Sequence, residues 1–128
     1  MLEVRIKSIF DALHPDDGCR VYVGRAWPSR TAADETAIEC WLPELAPSAK
    51  LSGWFRNMPG QWPAFCERYR AELERLAPSL DALRARAGSR RLTLLHAARL
   101  PYMNHATVLA AVLGDCGAGA KSGVLVCA

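Results

Sequence analysis

The stretch that most constrains this chain is Leu92–Ala98, LTLLHAA. It is apolar almost throughout and shows neither a helical stripe nor an alternation. A short continuous run of this kind suits a strand covered on both faces, as in a parallel sheet. Two more strands are predicted upstream. Val4–Phe10 alternates apolar Val4 and Ile6 with Arg5 and Lys7, which reads as a strand with one buried face. Cys19–Val23 is β-branched and aromatic. Between them, His14-Pro15-Asp16-Asp17-Gly18 is a turn, with a fixed φ followed by a residue tolerant of positive φ. Gly24 ends the second strand, and Trp27-Pro28 breaks any regular continuation.

The middle of the chain reads as helical. Ala33, Ala37, Ile38 and Trp41 fall at helical spacing within Ala32–Leu42, and Pro43 stops that helix. Ser48 is the expected N-cap of the next, with Leu51, Trp54 and Phe55 on one face and Met58-Pro59-Gly60 at its end. Pro63 suits a first helical turn, after which Phe65, Tyr69, Leu73 and Leu76 recur on one face. Ser79 is the expected cap of a helix to Ala87, with Gly88 at its C-terminal end. Asn104–Leu113 is the final helix, capped by Asn104 and ended by Gly114.

The order strand, strand, helices, strand, helix predicts an α/β fold. We expect one small domain over residues 4–114, a mainly parallel sheet of three to four strands with helices on both faces. Residues 115–128, rich in Gly and Ala, are expected to form a flexible tail, with Val124–Cys127 reading equally as a short edge strand or a frayed end.

Composition sets the class. A chain of 128 residues, 51% hydrophobic and 23% charged, buries enough surface to fold without disulfides or metals. A net charge of +3 is too mild to imply nucleic-acid binding, and the last helix carries no Lys or Arg to read a groove. Cysteines at 19, 40, 66, 116 and 127 are odd in number and never spaced C-x-x-C. They read as free thiols in a reducing compartment. The beginning of the chain has no signal-peptide pattern, and Ala106–Gly114 is far short of the roughly 18 apolar residues of a membrane span. A cytoplasmic protein without membrane association is expected.

Ligands of open α/β sheets bind beyond the carboxyl ends of the strands. If the second and third strands are parallel neighbours, their exits bring together Arg25, Trp27, Arg30, Arg99, Asn104 and His105. Arginines beside a helix N-terminus make a site for an anion. His105 is the candidate catalytic acid/base, with a helix-start cap as its alternative role; a neutral imidazole there suits a general base. His96, within an apolar strand, reads as a core histidine. His14 with Asp16 and Asp17 offers metal-ligand atoms, but such residues are ordinary in a turn. No phosphate-binding loop, dinucleotide fingerprint, nucleophile elbow or H-E-x-x-H occurs, so no cofactor or metal is expected. The run Arg84, Arg86, Arg90, Arg91 is explained by the dipole at a helix C-terminus.

These residues also carry a resemblance. Gly18-x-Arg20-Val21-x-Val23-x-Arg25-x-Trp27-Pro28 resembles the signature of the YeaO-like bacterial family, domain of unknown function 488. Glu44-Leu45-Ala46-Pro47-Ser48, Trp54-Phe55, Ala97-Ala98-Arg99 and Asn104-His105-Ala106 follow in the matching order. The resemblance implies a small cytoplasmic α/β domain and brings no reaction with it. The chain departs from it where an aspartate usually precedes the arginine of the Trp-Pro motif. Gly24 stands there, Ser29-Arg30 replaces the usual Arg-Gly, and His96 replaces a common Tyr. If the family's chemistry runs through that aspartate, this member is altered or inactive. A small anionic ligand is expected at the strand ends. Hydrolysis or group transfer would use His105 as proton shuttle and Arg25 and Arg99 as charge stabilisers. The alternative is a non-enzymatic regulatory or partner-binding module, in which the apolar last helix serves either a dimer interface or the core.

Overall fold

The computed structural model describes residues 2–26, 38–58, 60–98 and 104–114. Its sheet has four parallel strands in the order β1-β4-β2-β3: Val4–Ser8 (β1), Cys19–Tyr22 (β2), Cys40–Trp41 (β3) and Leu92–His96 (β4). The apolar run is β4, and it lies between β1 and β2 as a doubly covered strand should. All five of its residues are buried. Leu94 faces Ile6 on one side and Val21 on the other.

Four helices are described: Ala49–Asn57 (α1), Trp62–Glu74 (α2), Ala77–Ala87 (α3) and His105–Gly114 (α4). Side chains alternate across a strand. Cys19, Val21, Val23, Leu92 and Leu94 accordingly share one face, and they form one core with Leu51 of α1, Phe65 and Tyr69 of α2, Leu80 and Leu83 of α3, and Val108 and Leu109 of α4. Ile9, Tyr22 and Leu95, in the opposite phase, form a second cluster joined by Ile38. The four described helices all pack on the first face, so helices on both faces are not found among the described residues.

Local chemistry sets most boundaries. His14 and Asp17 form a capping box around the 3-10 turn Pro15–Asp17, and Gly18 leaves it at φ 68°. The turn thus uses His14 Nδ1, which accepts from the Asp16 amide, and the Asp17 carboxylate, which accepts from the His14 amide. Ser48 caps α1 through its hydroxyl, which accepts from the Leu51 amide at 3.1 Å. Gly88 follows α3 with φ 59°. Arg84 closes the other end of α4, donating to the Leu113 and Val112 carbonyls at 3.3 and 3.2 Å. Arg86 and Arg90 pair with Glu39, and Arg91 with Glu3. The basic run thus serves the fold.

Two expectations are corrected. Cys40–Trp41 is not the end of a helix. It is a strand paired with Val21 and Tyr22, so a non-local partner overrides the helical spacing. The rest of the Ala32–Leu42 expectation falls mostly outside the described residues. Ser79 is not a cap either: α3 begins at Ala77, and its N-cap Leu76 makes no side-chain cap bond. Pro78 in the first turn sets that start. β1 and β4 are also shorter than expected, because Ile9-Phe10 turns and Ala97-Ala98 leaves the ladder. Expectations for residues 115–128 lie outside the described residues. No helix among those described is long and apolar enough to cross a membrane.

Candidate functional site

The condition for a strand-end site is met: β2 and β4 are parallel neighbours, with Cys19 opposite Leu92 and Tyr22 opposite Leu95. The Val23 amide still bonds the Leu95 carbonyl at 3.0 Å, so the two exits leave side by side. The first turn of α4 lies at these exits. His105 Nε2 makes a short hydrogen bond to the Val23 carbonyl. A carbonyl only accepts, so Nε2 carries the proton and Nδ1 keeps the lone pair. Burial pushes the His105 pKa down, the Val23 bond opposes this, and nearby His96 adds to the fall. The ring is therefore neutral at neutral pH. Asn104 caps the helix as expected, its Oδ1 accepting from the Thr107 amide at 3.3 Å.

A corner of chain completes the wall. His105 meets the Tyr69 ring edge-on, at 6.4 Å between centroids. Tyr69 donates to the Leu45 carbonyl at 2.5 Å, which fixes the segment entering Pro47 and Ser48. Glu72 holds the Ser48 amide at 2.9 Å and its hydroxyl at 2.6 Å. Arg25, exposed at the exit of β2, donates from Nε to the Pro47 carbonyl at 3.1 Å.

Between this corner, the exit of β4 and the start of α4 lies a cleft of about 660 Å³. Its apolar lining includes Pro47, Phe55, Phe65 and Ala97, and its polar lining is Ser52, Arg56, Asn104 and His105. No carboxylate lines it among the described residues. Asn104 and His105 thus reach one cleft, and Arg25 bonds to a residue that lines it. Trp27, Arg30 and Arg99 lie outside the described residues. Arg56, Ser52 and Phe55 escaped the sequence reading. They come from α1, and only the docking of that helix by Ser48 and Glu72 carries them here. His96 is buried, as expected of a core histidine, with its Nδ1 accepting from the Ala98 amide at 3.1 Å.

Gly24 sits where the resemblance expects an acid. A Cβ at that position would lie 2.3 Å from the Tyr22 hydroxyl. Tyr22 is itself buried and donates to the Ala26 carbonyl at 3.0 Å, while Trp41 donates to the Gly24 carbonyl at 2.7 Å. The space of an acidic side chain is thus filled by tyrosine. No group of three His, Cys, Asp or Glu able to hold a metal occurs among the described residues. Cys19 and Cys66 are buried, and burial raises the Cys19 pKa, which lowers its reactivity.

Comparison with known proteins adds the family. Residues 3–122 match the model described as the inactive DUF488-N3 subclade. An uncharacterised protein of Mycobacterium tuberculosis is 36% identical over 110 residues, covering 86% of this chain and 92% of the relative. The uncharacterised YeaO of Escherichia coli is 32% identical over 109 residues, covering 85% and 95%. No solved structure matches the chain.

Proposed function

Because the chain belongs to the inactive DUF488-N3 subclade, a branch of the YeaO-like proteins, we propose that it is a non-catalytic binding domain. Its ligand is a small anion, held in the cleft at the carboxyl ends of β2 and β4. One observation carries this reading. The N-terminus of α4 and Arg56 line the same cleft, and no described carboxylate competes for them. The dipole of a helix start favours an anion there, and an arginine adds charge-assisted bonds. Hydrolysis or group transfer through His105 is the competing reading. Against it stand the commitment of Nε2 to Val23 and the tyrosine in the place of the acid.

Thermal unfolding with inorganic phosphate and with a nucleoside monophosphate tests the site. Ligand at about a hundred times its Kd adds about 2.7 kcal/mol and raises the midpoint by several degrees. Arg56→Ala should lose most of that shift. An equal shift in the variant, or none in the wild type, counts against the cleft. Phosphatase and esterase turnover that disappears in His105→Ala would instead establish the enzymatic reading.

Gly24→Asp separates the readings further. Overpacking against Tyr22 is expected to cost about 1–3 kcal/mol without creating activity. Turnover appearing in Gly24→Asp alone would mean that the machinery is intact except for the acid.

A second reading, a partner-binding module, is favoured by α4. Its sequence HATVLAAVLG contains no Asp, Glu, Lys or Arg, yet Thr107, Ala110 and Val112 keep part of their surface exposed.

A further inference from the structure

Among the described residues, the strand beneath α4, β1, is an edge of the sheet with no strand beyond it. β1 reaches β4 through alternate residues: the Glu3 carbonyl accepts from the Leu92 amide at 2.9 Å, and the Ile9 amide donates to the His96 carbonyl at 2.7 Å. Arg5 and Lys7 lie in the same phase and spend their backbone groups on β4. Val4, Ile6 and Ser8 turn theirs outward. The Asp11 carboxylate closes off the Ser8 amide at 3.1 Å. No hydrogen bond among the described residues covers Val4 or Ile6. Edge strands are commonly blunted by charge. Here Lys7 is turned onto Asp17 at 3.0 Å, and Arg5 lies 3.6 Å from Glu3.

We propose that two copies of the chain pair through this edge, β1 against β1, antiparallel about a two-fold axis at Val4. The sheet then continues from one copy into the other, with the two α4 helices alongside. The proposal rests on the partner-binding reading and names its surface and register. Register follows from elimination. Outward-facing residues must meet outward-facing residues. An axis at Arg5 sets Arg5 against Arg5 and Glu3 against a Lys7 that Asp17 already holds at 3.0 Å, and one at Ile6 sets Arg5 against Lys7 twice. Both oppose like charges, which destabilises a directly facing pair. An axis at Val4 sets Val4 against Val4, Leu2 against Ile6, and Glu3 against Arg5 twice. The segment Leu2-Glu3-Val4-Arg5-Ile6 is therefore complementary to itself in both charge and apolarity. Leu2, Val4 and Ile6 pack on the helix-covered core and keep part of their surface at the edge. Pairing would cover it together with the charge-free flank of α4, as an isologous interface requires.

Sedimentation equilibrium of the full chain at low salt tests this. The wild type should be a dimer. E3K and R5E should each weaken it by roughly tenfold or more, because each opposes like charges twice. An equimolar mixture of E3K and R5E should recover wild-type affinity as a heterodimer, since only the mixed pair restores opposite charges in both contacts. Circular dichroism of each variant checks that the monomer is folded. A wild type monomeric throughout overturns both the proposal and the self-pairing reading. A dimer indifferent to all three samples overturns this surface and register and leaves the partner-binding reading standing. Dimerisation appearing only after deletion of residues 115–128 means that the chain's own tail takes the edge, which overturns the proposal for the full chain.

Discussion

Replacing Asp17 with alanine is expected to cost about 3–5 kcal/mol and to lower the thermal midpoint by roughly 10–20 °C. The buried Asp17 carboxylate receives Lys7 Nζ at 3.0 Å, Arg20 Nη1 at 2.6 Å and the His14 amide at 3.2 Å. Arg20 is buried beside it, and its Nε and Nη2 have no hydrogen-bond partner among the described residues. Removing the carboxylate takes away the counter-charge that those residues give the guanidinium, and an unpaired buried charge costs more than the pair contributes. The same group sets the acid limb of stability. Burial alone would raise the Asp17 pKa, but hydrogen bonds from Lys7 and His14 and the charges of Lys7 and Arg20 outweigh it and hold it below 3.8. A depressed folded pKa means stability that is present above the unfolded value and lost as pH falls through the folded one. Glu39 acts in the same direction. Arg90 is the main cause of its fall to about 2, so its contribution fades between pH 4.5 and about 2. Denaturant unfolding at a series of pH values from neutral to acid should therefore give a shallower acid slope for Asp17→Ala than for wild type. Parallel slopes would mean that the Asp17 pKa is the same in the folded and unfolded chain.

Gly18→Ala is the second large effect, about 2–6 kcal/mol, from two sources. The backbone at φ 68°, ψ −123° is a conformation for glycine, and another residue there costs about 1–3 kcal/mol. A Cβ would also lie 2.3 Å from the Arg91 carbonyl oxygen, which is backbone and already accepts from the Cys19 amide at 2.8 Å. Relieving that clash costs about 1–3 kcal/mol more. Gly88 is the internal control. It has nearly the same dihedrals, φ 59° and ψ −124°, but its nearest neighbour to a Cβ is 3.9 Å away. Urea midpoints should fall further for Gly18→Ala than for Gly88→Ala, by the cost of the clash. Equal losses would mean that Arg91 yields freely.

The parts of the fold legible in the sequence were those driven by local or single-segment physics. The run Leu92–Ala98 announced a covered strand because a short consecutive apolar run suits a strand buried on both faces. Ser48, Asn104 and Gly88 announced helix ends because capping acts over three or four residues. β3 was hidden: two residues carry no strand period of their own, and their state depends on Val21 and Tyr22 nearly twenty positions away. The start of α3 was hidden because an apolar Leu76 and a proline do what a serine was expected to do. For the candidate site, strand exits and a helix start point to Asn104 and His105, which line one cleft, and to Arg25, which bonds to Pro47 of its wall. Arg56 was not, because nothing near it in sequence points to a cleft. Its place depends on how α1 docks.

The position of β4 has a consequence for assembly in time. It is the last of the described strands along the chain, yet it lies between the first two. Among the described residues, until 92–96 are synthesised β1 has no strand beside it, and the one pairing open to β2 is the two-residue contact with β3. Helices α1 to α3 precede β4 and must wait for the surface they cover. Closing such long loops before any contact rewards them makes folding slow relative to a chain of local contacts. On the ribosome, most of this domain has to emerge before its sheet can close, and until then the unpaired strands are what chaperones and aggregation compete for.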